Sequence, residues 1–260
     1  MMPTCGQAAR MNALAYDTDT GTLDSVSNWQ RKQVVSCEQT GCVVAHWEHE
    51  DGAVYLAVRG SSNRKDLGED VRVFLGHAPK GRIAFLESYI QAHCTTALEQ
   101  QQLAVGGHSL GGMVAQGAAA RLSLPGFIQN SPGWLVDPPH SASIAKVVEV
   151  RTSGDVIGAW GHAVPITLRV HDPEMDQWSF WALHNVHRQV ALIEQQGWGN
   201  ACLDDPSVRA AAPAMSPSAH RGVWGAVKAV LRQVASDKAT NDYSTGENTT
   251  QGTRKPHTGL

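Results

Sequence analysis

The sequence lacks the segments that carry a chain into or across a membrane. Its first ten residues, Met-Met-Pro-Thr-Cys-Gly-Gln-Ala-Ala-Arg, hold no basic stretch followed by an apolar run, so no secretory signal peptide is expected. No apolar stretch reaches the roughly 18 residues that a membrane-spanning helix needs. A cytoplasmic location is the expectation, and export by a route without a cleaved signal is compatible with it. Charge is also scarce: 17% of residues are charged and the net charge is -3, with no polybasic run. Bulk electrostatics thus favours neither nucleic acid nor an anionic membrane surface as partner, and a small or amphiphilic molecule is the expectation. The five cysteines, an odd and scattered set, suit free thiols better than a disulfide framework. Cys37 and Cys42 flank a turn-like Glu38-Gln39-Thr40-Gly41 that would bring two thiols close. Neither His46 with His49 nor His184 with His187 has further ligands at metal spacing, so no metal site and no cofactor are expected. There is no internal repeat.

What is present fits one α/β catalytic domain. A chain of 260 residues with 42% hydrophobic content can bury one sizeable core. After a mixed stretch in which Ala13-Leu14-Ala15-Tyr16 reads as a short helix under a sheet, β-branched runs at 33–37, 42–48 and 53–58 predict an antiparallel meander. Apolar residues at helical spacing predict a helix over 82–101, leading into the strand-like Leu103-Ala104-Val105. From there the chain alternates: helix 109–122, strand 127–129, strand 144–151, strand 166–170, helix 179–196. Such βα alternation predicts a parallel sheet with helices over it, and active sites in these sheets lie at the carboxyl ends of strands. Residues 203–220, rich in Pro, Ala and Ser, read as a linker or loose cover. An amphipathic helix is expected over 222–235, and 236–260 as a disordered polar tail. The single domain is therefore drawn at 1–235.

Gly107-His108-Ser109-Leu110-Gly111 follows the short strand and opens a helix. A strand-to-helix turn of Gly-x-Ser-x-Gly exposes the serine hydroxyl, its glycines avoid a clash, and the helix N-terminus favours developing negative charge. The bland alternative is a glycine-rich turn that binds phosphate or merely lets a helix pack on a strand; no lysine stands at the P-loop position. The expected fold is therefore the α/β-hydrolase fold, a mostly parallel central sheet with antiparallel N-terminal strands and flanking helices, and Ser109 is the candidate nucleophile. A base and an orienting acid must follow it, in the order serine, acid, histidine. Asp155, in the loop after a long apolar strand, is the acid this spacing favours, with Asp137 its rival. His184 is the favoured base, with His187, His162 and His171 as alternatives.

With these residues in place, the chain resembles the class 3 lipases, the fungal triacylglycerol lipase family and its bacterial relatives, over about residues 50–190. The likeness rests on Gly107-His108-Ser109-Leu110-Gly111-Gly112 together with Val54-Tyr55-Leu56-Ala57-Val58-Arg59-Gly60-Ser61-Ser62, an apolar strand ending in Arg-Gly-Ser. Asn130-Ser131-Pro132-Gly133 and Gly154-Asp155-Val156-Ile157 are similar to the family's strand end after the elbow and its catalytic Asp loop. The resemblance implies that Ser61 and Leu110 form an oxyanion hole and that Asp70 holds the Ser61 hydroxyl in place. It also implies a lid after Ser61, where this chain reads Asn63-Arg64-Lys65-Asp66-Leu67-Gly68, too polar for a triglyceride surface and better suited to an esterase or phospholipase. The interval from Asp155 to His184 is shorter than in the fungal enzymes, so His187 stays open.

The resulting expectation is a serine hydrolase of lipid esters, a lipase or phospholipase. A small-ester esterase or thioesterase of the same fold, and a non-catalytic lipid-binding or effector module, are the alternatives. The eight tryptophans read either as interfacial residues or as core. The 222–235 helix either lies on a membrane as a peripheral contact or covers the domain's own apolar surface.

Overall fold

Between residues 29 and 58 the β-branched and aromatic residues fold into an antiparallel ladder. The computed structural model describes residues 1–17, 24–61, 77–134, 144–159, 161, 164, 166–174, 180–201 and 203. In it β1 (Ser25–Val26), β2 (Trp29–Cys37), β3 (Cys42–His49) and β4 (Val54–Val58) pair in chain order, each antiparallel to the next. The turn after β2 sets Cys37 opposite Cys42 in the ladder. From β4 onward the sheet is parallel, through β5 (Leu103–His108), β6 (Gly126–Gln129), β7 (Val147–Thr152) and β8 (Ile166–Val170). The described strands make one 8-stranded sheet. With its antiparallel N-terminal half, parallel C-terminal half and flanking helices, this is the α/β-hydrolase arrangement that the sequence predicts.

The helices are α1 (Cys5–Leu14), α2 (Lys80–His93), α3 (Thr95–Glu99), α4 (Leu110–Leu122), α5 (Phe180–Leu183) and α6 (Val186–Gln195). Every residue of β4 and β5 is buried, as strands covered on both faces must be. The period-2 alternation of β4 divides the core. Leu56 and Val58 face Ile83, Leu86 and Ile90 of α2 and Met113 and Val114 of α4. Tyr55 and Ala57 face Ala8 and Met11 of α1 and Leu192 and Ile193 of α6. Each fully buried aliphatic side chain contributes roughly 1.5–3 kcal/mol, so the two apolar layers hold the parallel strand ends in fixed relation.

The structure refines several predicted elements. α1 starts earlier than the sequence suggests, on a capping box in which Thr4 Oγ1 accepts from the Gln7 N–H at 3.2 Å and the Gln7 side chain accepts from the Thr4 N–H at 2.9 Å. The helix expected over 82–101 breaks at Cys94, where Thr95 Oγ1 donates to the Gln91 carbonyl at 2.8 Å and competes with the helical ladder. The strand expected from 144 begins at Val147, after a turn at Ile144 to Lys146. The helix expected over 179–196 is two helices, broken at His184 and Asn185 because the Asn185 side chain accepts from the Arg188 N–H and starts α6 anew.

His46 and His49 do not meet. His46 Nδ1 lies 2.7 Å from Tyr89 Oη, and His49 Nδ1 lies 2.7 Å from Asp51 Oδ1. Their odd spacing on β3 sends them to opposite faces. Trp29, Trp47 and Trp134 are buried core residues. No helix among the described residues is long and apolar enough to cross a membrane. All described residues belong to one compact unit, Met1–Met215. The expected helix over 222–235, the tail, Asp70, Asp137, His162 and the polar segment 63–68 lie outside the described residues.

Candidate active site

Only one residue separates β5 from α4, and it is Ser109, with φ 57° and ψ -130°. Backbone at positive φ costs a non-glycine residue about 1–3 kcal/mol, and it persists only where the surroundings impose it. Here the neighbouring glycines do so by close approach. A Cβ on Gly107 would stand 2.5 Å from the Gly111 carbonyl carbon, and one on Gly111 would strike the Val58 carbonyl. The Ser109 N–H is held by the Gln129 carbonyl of β6 at 2.9 Å. Its side chain makes no capping bond to α4, and Ser109 stays half-buried while Gly107, His108, Leu110 and Gly111 are buried. The N–H groups of Leu110 and Gly111, which open α4, have no intrahelical acceptor and lie at the positive end of the helix dipole.

The end of β4 lies against this turn. A Cβ on Gly60 would stand 2.6 Å from the His108 carbonyl oxygen and 3.1 Å from Ser109 Cβ, which sets Ser61 next to the elbow at the same sheet edge.

Asp155 sits in the turn after β7, with 2% of its surface exposed. Both carboxylate oxygens are engaged: Oδ1 accepts from the Ile157 N–H at 3.0 Å, and Oδ2 lies 2.9 Å from Nδ1 of His184. A carboxylate can only accept, so His184 carries its proton on Nδ1 when neutral and offers a lone pair on Nε2.

His184 is fixed through its backbone from two sides. Asn130, just past β6 at φ 43°, donates from Nδ2 to the Leu183 carbonyl at 3.4 Å and to Thr152 Oγ1 at 3.2 Å. Its Oδ1 accepts from the Thr152 N–H and from Gln189 Nε2, both at 2.8 Å. On the other side His108 Nε2 donates to the His184 carbonyl at 2.8 Å, and the two imidazole rings lie 4.7 Å apart. His108 precedes Ser109, so this bond holds the His184 segment at the elbow. Burial, with a smaller effect from the neighbouring His184, keeps the His108 pKa well below the usual histidine value, so His108 is neutral. Arg188 pairs with buried Asp172 and ties the first turn of α6 to the end of β8.

Of the residues singled out in the sequence, the structure thus brings together Ser109, Leu110, Ser61, Asp155 and His184 at the carboxyl ends of the parallel strands. His187 is exposed on α6, and His171 is exposed at the end of β8, its backbone paired with the Gln196 side chain. His108 and Asn130 were legible only as parts of motifs, and neither motif marks them as struts. Among the described residues no cluster of three or more His, Cys, Asp or Glu side chains is placed to hold a metal. A groove of about 600 Å³ lined by Leu103, Leu124, Pro125 and Lys146 opens at the opposite, amino end of the strands and takes no part in this site.

No family model and no curated protein sequence matches the chain. Solved structures do. Rhizomucor miehei lipase in its propeptide complex is 17% identical, with 65% of this chain and 68% of that one covered at a TM-score of 0.47. A lipase from Rhizopus microsporus var. chinensis is 14% identical, with 65% and 74% covered at 0.47. A triacylglycerol lipase from Penicillium expansum is 13% identical, with 66% and 82% covered at 0.46. The likeness at this level concerns the course of the chain and no residue of the site.

Proposed function

We propose that the chain is a serine hydrolase of carboxylic esters, acting on lipid esters through an acyl-enzyme. The observation that carries this reading is the buried Asp155–His184 pair, 2.9 Å apart, with the His184 backbone bonded to the residue before a serine at φ 57°.

In this reading His184 Nε2 takes the proton of Ser109 Oγ as Oγ bonds to the ester carbonyl carbon. The carbonyl oxygen becomes an oxyanion that the backbone N–H groups of Leu110 and Ser61 stabilise, each such donor being worth on the order of 10²–10³ in rate. The intermediate collapses, the carbon–oxygen bond to the alcohol breaks, and the alcohol leaves with the proton from His184. Water then repeats the sequence on the acyl-enzyme and releases the acid. Asp155 holds the ring in the tautomer that can receive a proton and stabilises the imidazolium that forms.

The lipid part of the reading rests on the sequence resemblance through Arg59-Gly60-Ser61 and the elbow, since three of the tryptophans are core. The polar segment 63–68 favours a phospholipase or esterase over a triglyceride lipase. Labelling with a fluorophosphonate probe, followed by turnover of nitrophenyl esters of increasing chain length and of phospholipid vesicles, tests both parts. Expected are one labelled serine, loss of label and turnover in Ser109→Ala, and preference for long acyl chains or phospholipid. Wild-type turnover in Ser109→Ala overturns the mechanism; preference for acetyl esters overturns the lipid assignment.

A further inference from the structure

The sequence marks Tyr16 only as part of a short helix, yet the fold delivers it to the elbow. The buried Arg31 donates from one amino group to the carbonyls of Leu14 at 3.0 Å and Asp17 at 2.7 Å, and its other amino group pairs with Asp24 at 2.6 Å. The exit from α1 is thereby fixed and aims the phenol at β5. Tyr16 Oη lies 2.8 Å from His108 Nδ1, with the rings 5.7 Å apart in an edge-on arrangement. It also lies at the end of β4: a Cβ on Gly60 would stand 2.5 Å from Tyr16 Oη. The hydroxyl, the Ser109 turn and the start of the oxyanion segment therefore meet at one point.

The two partners of His108 make a single chemical demand. A carbonyl oxygen accepts only, so the 2.8 Å contact with the His184 carbonyl requires the proton on Nε2. A neutral imidazole then has only a lone pair at Nδ1, which must meet a donor, and the Tyr16 hydroxyl supplies it. Without that donor His108 could move its proton to Nδ1, and the Nε2 lone pair would face the His184 carbonyl oxygen. The repulsion would push the His184 backbone away from the elbow.

We propose that Tyr16 is a positioning residue: by donating to His108 Nδ1 it fixes the tautomer whose Nε2–H holds the His184 carbonyl, and so sets the base against Ser109. This rests on the hydrolase reading of Ser109 and His184. Tyr16 acts through His108, so the segment leaving α1 takes part in positioning the site.

The test is a double-mutant cycle. Tyr16→Phe keeps the ring and removes the donor; His108→Gln keeps an amide donor at the Nε2 position and abolishes the tautomer choice. Tyr16→Phe should lower kcat by roughly 3- to 10-fold, the scale of one neutral hydrogen bond, with KM within about 2-fold. In the His108→Gln background the same change should cost nothing further. A direct readout that needs no activity is the ¹⁵N NMR spectrum of the imidazoles: His108 should be the Nε2–H form in the wild type and a mixture of tautomers in Tyr16→Phe. An equal loss of kcat in both backgrounds, or an unchanged kcat or tautomer in Tyr16→Phe, overturns the proposal. If Ser109→Ala turns over ester as fast as the wild type, the hydrolase reading fails, while the NMR spectrum still decides the role of Tyr16 toward His108. Should Tyr16→Phe not fold, the wild-type spectrum decides it: the Nε2–H form of His108 supports donation by Tyr16, and the Nδ1–H form overturns it.

Discussion

Asp155 Oδ2 meets His184 Nδ1 at 2.9 Å while Oδ1 of the same carboxylate holds the Ile157 N–H at 3.0 Å. The two oxygens thus divide between the imidazole and the loop that carries the acid. Asp155→Asn should keep the loop bond through its remaining oxygen but set an amide donor against Nδ1, forcing the wrong tautomer. A loss in kcat of about 10³–10⁴ is expected, with stability changed little. Steady-state turnover beside a thermal melt measures both; a loss of only a few-fold would remove Asp155 from the orienting role.

Gly60 is where β4 touches the Ser109 turn. A methyl group there would press on the His108 carbonyl at 2.6 Å, a backbone atom that cannot rotate away. Gly60→Ala should destabilise the fold by about 1–3 kcal/mol and slow turnover as Ser61 is displaced. Denaturant melts and kcat report it, and a variant of wild-type stability and rate would mean the turn has room the packing denies.

Asn130 joins β6, β7 and the His184 segment through four side-chain hydrogen bonds. Asn130→Asp keeps the acceptor but loses both donated bonds and turns a carboxylate oxygen toward the Leu183 carbonyl. At about 1–3 kcal/mol for a buried group left unsatisfied, the variant should melt several degrees lower and label more slowly with a fluorophosphonate. Unchanged labelling would show that the His184 backbone does not depend on this clamp.

Acid should weaken the fold before the carboxylates titrate. Burial lowers the pKa of both His108 and His46 in the folded protein. Unfolded, each takes up a proton as pH falls through about 6.5. The unfolded state then binds more protons, so stability is complete above about pH 6.5 and is lost below it, down to the depressed folded values. The slope is at most about 1.4 kcal/mol per pH unit for each histidine. Urea melts between pH 7.5 and 5.5 should show this fall, with a shallower slope in His46→Gln; a flat profile would exclude it.

The features legible in the amino-acid order are local ones. The β-branched runs and the glycines of the elbow specify strands, a helix and a strained serine within a few residues of one another. The Gly-His-Ser-Leu-Gly-Gly and Arg-Gly-Ser motifs are contiguous and legible for that reason. The helix breaks at Cys94 and at His184 are less so, because a side chain returning to its own backbone overrides a continuous apolar stripe. Residues that act across the sheet are not legible at all. His184 was one of several histidines until Asn130, His108 and Asp155 converged on it from three different strand ends. Tyr16 carried no signal, because its partner is 92 residues away in the chain. Local periodicity encodes which face of an element is buried; which polar atoms then meet depends on how the elements pack, and only the tertiary structure decides that.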